Sequence, residues 1–221
     1  MIARCAWRIL LMKKHRLRLV GTLALLPWLA GSLRAAETWA RYEAQPTGSK
    51  VKVEGTSTLH DWSVESKLIG GYFEFDPAFD PEKPVPGKLN ARVAVIIPVR
   101  QLKSDKTAMD NVMYDALKEK EHRRIGYRLT EMTLKETPKS PDAPFLLDTK
   151  GELVVAGVTN QVQMPVTMTR VDKDKLKFSG STSVKMTSFG IEPPTKFGAF
   201  STGDQVKLTF EWLTARKAEA K

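Results

Sequence analysis

The chain contains one cysteine, Cys5, and only three histidines. Cys5 lies in a basic, apolar leader, so the sequence beyond that leader has no thiol. That excludes a disulfide framework and a thiolate metal site. His60 and His122 sit on separate segments, too few for a tight transition-metal site without several carboxylates. Glycine-rich phosphate loops and dinucleotide fingerprints are absent; Gly55, Gly70 and Gly71 are isolated strand or bulge glycines. No metal and no cofactor is therefore expected. The chain also lacks the run of roughly 20 apolar residues that a spanning helix needs.

What it has at the start is an export signature. Lys13, Lys14, Arg16 and Arg18 precede a mostly apolar run from Leu19 to Leu33. A basic stretch followed by a run of that length reads as a secretory signal. The signal is assigned to residues 1–36; Ala30-Gly31-Ser32 fits the small-x-small cleavage rule, and Met12 would by itself begin a leader of ordinary length. The leader also explains the formal charge of +10, because it holds seven of the 35 Lys/Arg and no acid. Past it, 28 basic residues face 25 acidic ones, a balance near +3. So small a surplus makes no broad basic field, and nucleic acid is not an expected partner. The expectation is a periplasmic product, residues 37–221, forming one domain with no membrane span after signal removal.

Within that domain the dominant pattern has a period of two, the mark of strands with one buried face. Candidates are Lys50–Ser57, Asp61–Phe75 with a break or bulge at Gly70-Gly71, Leu89–Val99 and Ile125–Leu134. Phe145–Ala156, Gln161–Val171, Leu176–Met186 and Gln205–Leu213 follow. Leu89, Ala91, Val93, Val95, Ile97 and Val99 share one face; Val206, Leu208, Phe210 and Trp212 share another. Eight such strands match a small closed barrel able to hold one ligand. One segment departs from the period. Met109, Val112, Met113, Ala116 and Leu117 recur at helical spacing, predicting one short amphipathic helix that covers an end or flank, capped at its start by Ser104 or Asp105.

Three loops stand out. Asp76–Gly87 and Thr137–Pro144 are proline-rich and read as stiff surface connections. Phe189–Gly203 carries Ile191, Phe197 and Phe200, which suggests either a lid over a cavity mouth or a loop folded onto the wall. The mixed run Lys118–Arg124 reads as a solvated helix end, since Glu119 and Glu121 dilute its charge.

Ser57, His60 and Asp61 are the residue types of a hydrolase triad, but they lie too close in sequence for one base to bridge the other two. A polar turn is the better reading, with Trp62 packing inward. No enzymatic activity is expected.

The run Val53-Glu54-Gly55-Thr56-Ser57-Thr58-Leu59-His60-Asp61-Trp62, followed by Gly71-Tyr72-Phe73-Glu74-Phe75-Asp76, opens a series of motifs. The helix after Leu102-Lys103-Ser104 comes next, then Gly151–Thr159 leading to Met164-Pro165-Val166, and lastly Lys185–Ile191. In this order and spacing, over roughly residues 38–213, the chain resembles the YceI-like family of exported lipid- or polyisoprenoid-binding proteins. The resemblance implies an all-β fold, an extended eight-stranded antiparallel barrel similar in shape to lipocalins, with an isoprenoid chain in its core. His60-Asp61-Trp62 departs from the family's usual pattern after the first strand. The resemblance supplies no catalytic residues.

The implied partner is a long-chain apolar lipid such as a polyisoprenoid or quinone; a second copy of the chain is admitted as well. Each buried CH₂ contributes roughly 0.8 kcal/mol, so ten carbons give about 8 kcal/mol gross. Association costs an estimated 4–15 kcal/mol. A short chain would barely bind, whereas several isoprene units would bind without specific polar contacts. Such a site shows as surplus apolar wall. The candidate lining residues are Trp62, Val64, Phe73, Phe75, Val93, Val95, Phe178 and Phe210, with Phe197 and Phe200 at the mouth. The alternative is an envelope interaction scaffold built on a filled barrel.

Overall fold

The computed structural model describes residues 39–140, 142–196 and 200–217, with Lys196 and Phe200 described by backbone alone. The predicted signal segment, 1–36, and Phe197 lie outside the described residues. The elements in chain order are β1 (Ala40–Ala44), β2 (Lys50–Ser57), β3 (Trp62–Ser66), β4 (Gly70–Phe75), β5 (Gly87–Leu89) and β6 (Ala91–Pro98). They continue with α1 (Thr107–Ala116), β7 (Arg124–Leu134), β8 (Phe145–Val155), β9 (Val158–Arg170), β10 (Lys175–Lys185), β11 (Thr195–Lys196) and β12 (Phe200–Arg216).

Eight strands form the ring in the order β1-β4-β6-β7-β8-β9-β10-β12, every pair antiparallel, and β1 closes it against β12. The closed eight-stranded barrel expected from the sequence is therefore the fold. Closure depends on the 17-residue β12, whose one edge serves two partners: Thr214–Arg216 pairs with β1 and Val206–Glu211 with β2. β2 and β3 extend β1 and β4 beyond the ring as one bent hairpin. Of the far edge of β3, only the Glu65–Lys103 bridge is paired among the described residues. On its apolar side α1 packs Met109 and Met113, with Leu117 just past its end, against the barrel core.

Three details differ from the sequence expectation, and a fourth decides between two readings it left open. β1 is an additional strand; its inward residues Ala40, Tyr42 and Ala44 include two small ones, too weak an alternation to stand out. The break in the long second hairpin arm falls at residues 67–69, ahead of Gly70. β7 carries a bulge between Leu129 and Glu131, so its buried row passes from Ile125, Tyr127 and Leu129 to Met132 and Leu134. Such an extra residue switches which parity faces inward. Finally, the loop Phe189–Gly203 folds back: Phe189 and Ile191 are buried, and the chain returns through the short β11–β12 pair.

Helix α1 has ten residues, too short to persist alone. No side chain caps its first turn; Lys106 occupies the cap position. The predicted cap Ser104 instead donates its backbone N–H and its hydroxyl to the Asp110 carboxylate, both at 2.7 Å. Lys103 Nζ stands 3.7 Å away. Burial of Asp110 opposes ionisation, but these bonds and the ammonium outweigh it and hold the carboxyl below its ordinary value. A folded-state value below the unfolded one, about 3.9, contributes stability at neutral pH that is lost as pH falls through the folded value. Asp110→Ala is expected to cost about 1.5–3 kcal/mol at pH 7. Urea titrations of both proteins should show that gap closing on acidification; a gap independent of pH would refute the assignment.

Candidate functional site

Over part of the barrel's length the inward rows leave space between them. Two apolar chambers lie along the barrel, of about 90 Å³ toward the floor and about 270 Å³ toward α1. One water needs roughly 10–15 Å³ on this kind of measure, so both are substantial voids. Ile125, Leu153 and Leu208 belong to both walls and form the waist between them.

The floor is sealed by aromatic rings. Phe73 lies 4.3 Å from Phe75 and 4.8 Å from Phe178 (centroid distances), and Phe178 lies 5.6 Å from Trp212. Phe79 completes the seal, stacked on Phe75 at 4.6 Å and edge-on to Phe145 at 6.4 Å. Phe79 comes from the proline-rich loop that sequence reasoning treated as a surface connection. That loop is tied down at one end by Asp76, which accepts from Ala78 N–H at 2.8 Å and from the Asn90 amide. At its other end Arg170 donates to Glu82 at 2.7 Å and to Pro81 O at 2.6 Å.

Of the candidate lining residues, Phe73, Val93, Val95, Phe178 and Phe210 border the inner chamber. Trp62 and Val64 border the outer one. Phe75 lies buried in the floor and borders neither. Trp62 covers Gly55, its cross-strand partner, where a Cβ would stand 2.3 Å from the indole. Its Nε1–H donates to Thr56 O at 3.2 Å. The outer chamber also takes Met109, Val112, Met113 and Ala116 from α1, with Phe189 and Ile191 from the returning loop. These were not among the candidates. Their signal was a stripe at helical spacing inside an all-strand chain, which by itself reads as packing.

Polar chemistry at the chambers is sparse. Ser57 donates to His60 O at 2.6 Å and accepts from the N–H groups of Leu59 and His60, while His60 Nδ1 meets Asp61 O at 2.9 Å. The three residues thus build the predicted polar turn at the mouth, and their side chains form no relay. No group of three or more His, Cys, Asp or Glu could hold a metal ion among the described residues. In the inner chamber Thr149 spends its proton on Met164 O at 2.9 Å and Thr182 on Gln163 O at 3.3 Å. Burial raises the Tyr127 phenol above its ordinary value, an effect that the neighbouring Thr149 hydroxyl opposes only in part. The arrangement can hold an apolar body of considerable length. No helix among the described residues is long and apolar enough to cross a membrane.

Comparison with known proteins follows the same line. The YceI-like domain family profile matches residues 42–213. Among solved structures, a polyisoprenoid binding domain from Saccharophagus degradans, implicated in plant cell wall breakdown, superposes with a TM-score of 0.60 at 10% identity. The match covers 81% of this chain and all of that one. Burkholderia cenocepacia BcnA gives 0.56 at 16% identity, covering 75% of this chain and 95% of that one. A Campylobacter jejuni YCEI protein gives 0.51 at 17% identity, covering 70% and 84%. At these identities the likeness is one of fold. No curated protein matches the sequence.

Proposed function

This chain belongs to the YceI-like domain family, and from that premise we propose that it is a periplasmic carrier or store for a long apolar lipid of the isoprenoid class. The observation that carries this reading is the pair of apolar chambers along the barrel, which share Ile125, Leu153 and Leu208 between them. A chain threading both would bury on the order of 20 methylene-sized groups, about 16 kcal/mol gross, which exceeds most of the association cost. The polyisoprenoid ligand class comes from the Saccharophagus degradans neighbour. Methionines of α1 suit such a guest, since an unbranched thioether side chain adapts to an irregular apolar body. Leu59 and Val112 stay exposed beside the outer chamber, as an opening that receives lipid requires. The scaffold alternative needs a filled interior, and the chambers speak against it.

The decisive experiment is lipid extraction and mass spectrometry on protein purified from the periplasmic fraction of cells expressing the full chain. A stoichiometric long-chain isoprenoid is expected. Protein that is consistently lipid-free, and that takes up no long-chain lipid when offered it, would overturn the reading. Recovery only in the cytosol would overturn the periplasmic placement alone.

A further inference from the structure

Three inward positions of the barrel wall are glycine without a backbone reason. Gly55 lies two residues from Val53 and Ser57, which border the outer chamber. Gly151 lies two residues from Thr149 and Leu153, which border the inner one, and Gly180 stands in the same way between Phe178 and Thr182. None of the three has a positive φ. Glycine weakens the interior of a strand, and its presence there marks a close approach. What approaches is an aromatic ring from the neighbouring strand. Trp62 of β3 covers Gly55, where a Cβ would stand 2.3 and 2.6 Å from two indole carbons. Tyr127 of β7 covers Gly151, where a Cβ would stand 2.4 and 2.5 Å from two ring carbons. Both rings border a chamber; neither glycine does. Each ring is also held at its polar end, the indole N–H donating to Thr56 O at 3.2 Å and the phenol lying beside the Thr149 hydroxyl. Gly180 repeats the pattern under Phe210, but there Pro165 O is as close as the ring, at 2.9 Å, so wall and ring share that contact.

We propose that Gly55 and Gly151 are specificity-determining residues: each is a recess that draws a ring out of the lumen, and together they keep both chambers wide enough for a methyl-branched chain. This rests on the lipid-carrier reading and adds to it the residues that set the girth of the guest. Carbon atoms in contact lie about 3.5–4.0 Å apart, so a methyl group at either position would push its ring off the wall by about 1 Å or more. The three atoms nearest each Cβ position all belong to the covering side chain, so the ring gives way before the strand does. The free space beside each ring is the chamber that it borders. A straight chain is narrow enough to pass a ring that stands inward. An isoprenoid chain carries a methyl on every fourth carbon, so no sliding along the barrel would spare it the collision. One recess in each chamber keeps the whole path open to such a chain.

The test compares phytanol with hexadecan-1-ol for displacement of a fluorescent long-chain probe from delipidated protein. The two alcohols share a sixteen-carbon main chain and differ by four methyl branches. The parent is expected to bind the branched alcohol more tightly, since its methyls add buried surface. Gly55→Ala and Gly151→Ala should each lower the branched-to-straight affinity ratio about tenfold, the effect of overpacking by one methyl group. Shrinking the ring returns the space, so Gly55→Ala combined with Trp62→Leu, and Gly151→Ala combined with Tyr127→Leu, should bring the ratio back toward the parent value. Three results would overturn the proposal and leave the carrier reading standing: a parent that prefers the straight alcohol, a ratio unmoved by the alanines, or a ratio lowered and not restored in the double variants. Should an alanine variant not fold, its double variant must fold and bind phytanol; a double variant that does neither overturns the proposal as well. A parent that binds neither alcohol would overturn both.

Discussion

Leu153→Trp should yield a folded barrel that no longer retains long chains. Leu153 is buried at the waist and borders both chambers, so an indole at this position projects into the passage between them. If the inner chamber takes about six chain carbons, closing it removes about 5 kcal/mol of burial, more than a thousandfold in affinity. The protein itself should lose little, because the larger side chain enters a void; ordinary overpacking, about 1–3 kcal/mol, is the upper bound. Short apolar ligands should still occupy the outer chamber under α1. The control is Leu146→Trp on the same strand, whose side chain is exposed, and it should leave binding untouched. Titration with isoprenoid alcohols of increasing length would reveal the effect as a plateau: affinity rises with length in the parent and stops rising early in Leu153→Trp. Parallel curves for the two proteins would show that the chambers are not a continuous ligand path.

The barrel was legible because a two-residue period is hard to mistake when it recurs in long strands. Val93, Val95 and Ile97 face the same interior that their spacing implies. Closure was legible only as a count. Nothing in the sequence states that β12 serves β1 and β2 along one edge, since pairing partners far apart in the chain leave no local pattern. The lining was partly legible for the same reason. Parity puts Phe73 and Phe75 on one face, yet a barrel tapers to a floor, and height along the axis decides that Phe73 borders a chamber while Phe75 fills the seal. The β7 bulge shows the limit of parity from another side, because a single inserted residue near Thr130 exchanges the inner and outer rows. Phe79 was missed because its loop looks polar and proline-rich; only the Asp76 turn and the Arg170 tether bring its ring under the barrel. The contribution of α1 to the site was missed because an amphipathic stripe reports that a helix packs, and not whether it packs on a wall or over a hollow.

The largest loss of stability is expected from Gly71→Ala. Gly71 has φ of +123°, and a Cβ there would stand 2.0 Å from the carbonyl oxygen of Ala94 and 2.9 Å from Val95 Cα. These are backbone atoms of β6, the strand with which β4 pairs from Gly70 onward, so no rotamer change relieves the overlap. Two costs combine: a left-handed backbone that an L side chain resists, about 1–3 kcal/mol, and displacement of a paired strand, of similar size. Their sum, about 3–5 kcal/mol, is a large fraction of the roughly 5–15 kcal/mol that holds a typical domain folded. Two neighbouring glycines separate the terms. Gly87 shares the positive φ, at +132°, but has nothing within 4 Å of its Cβ position, so Gly87→Ala should register the backbone term alone. Gly70 has neither difficulty, its closest atom being Ile96 O at 3.6 Å, and Gly70→Ala should be neutral or slightly stabilising through the unfolded chain. Chemical denaturation should therefore rank the variants Gly70, Gly87, Gly71 in order of increasing loss. Because Gly71 fixes where β4 joins the ring, its loss should also release bound lipid, as Phe73 two residues on is both floor and chamber wall. A Gly71→Ala protein as stable as Gly70→Ala would mean that β4 meets β6 in some other register, and the sealed floor beneath the inner chamber would have to be redrawn.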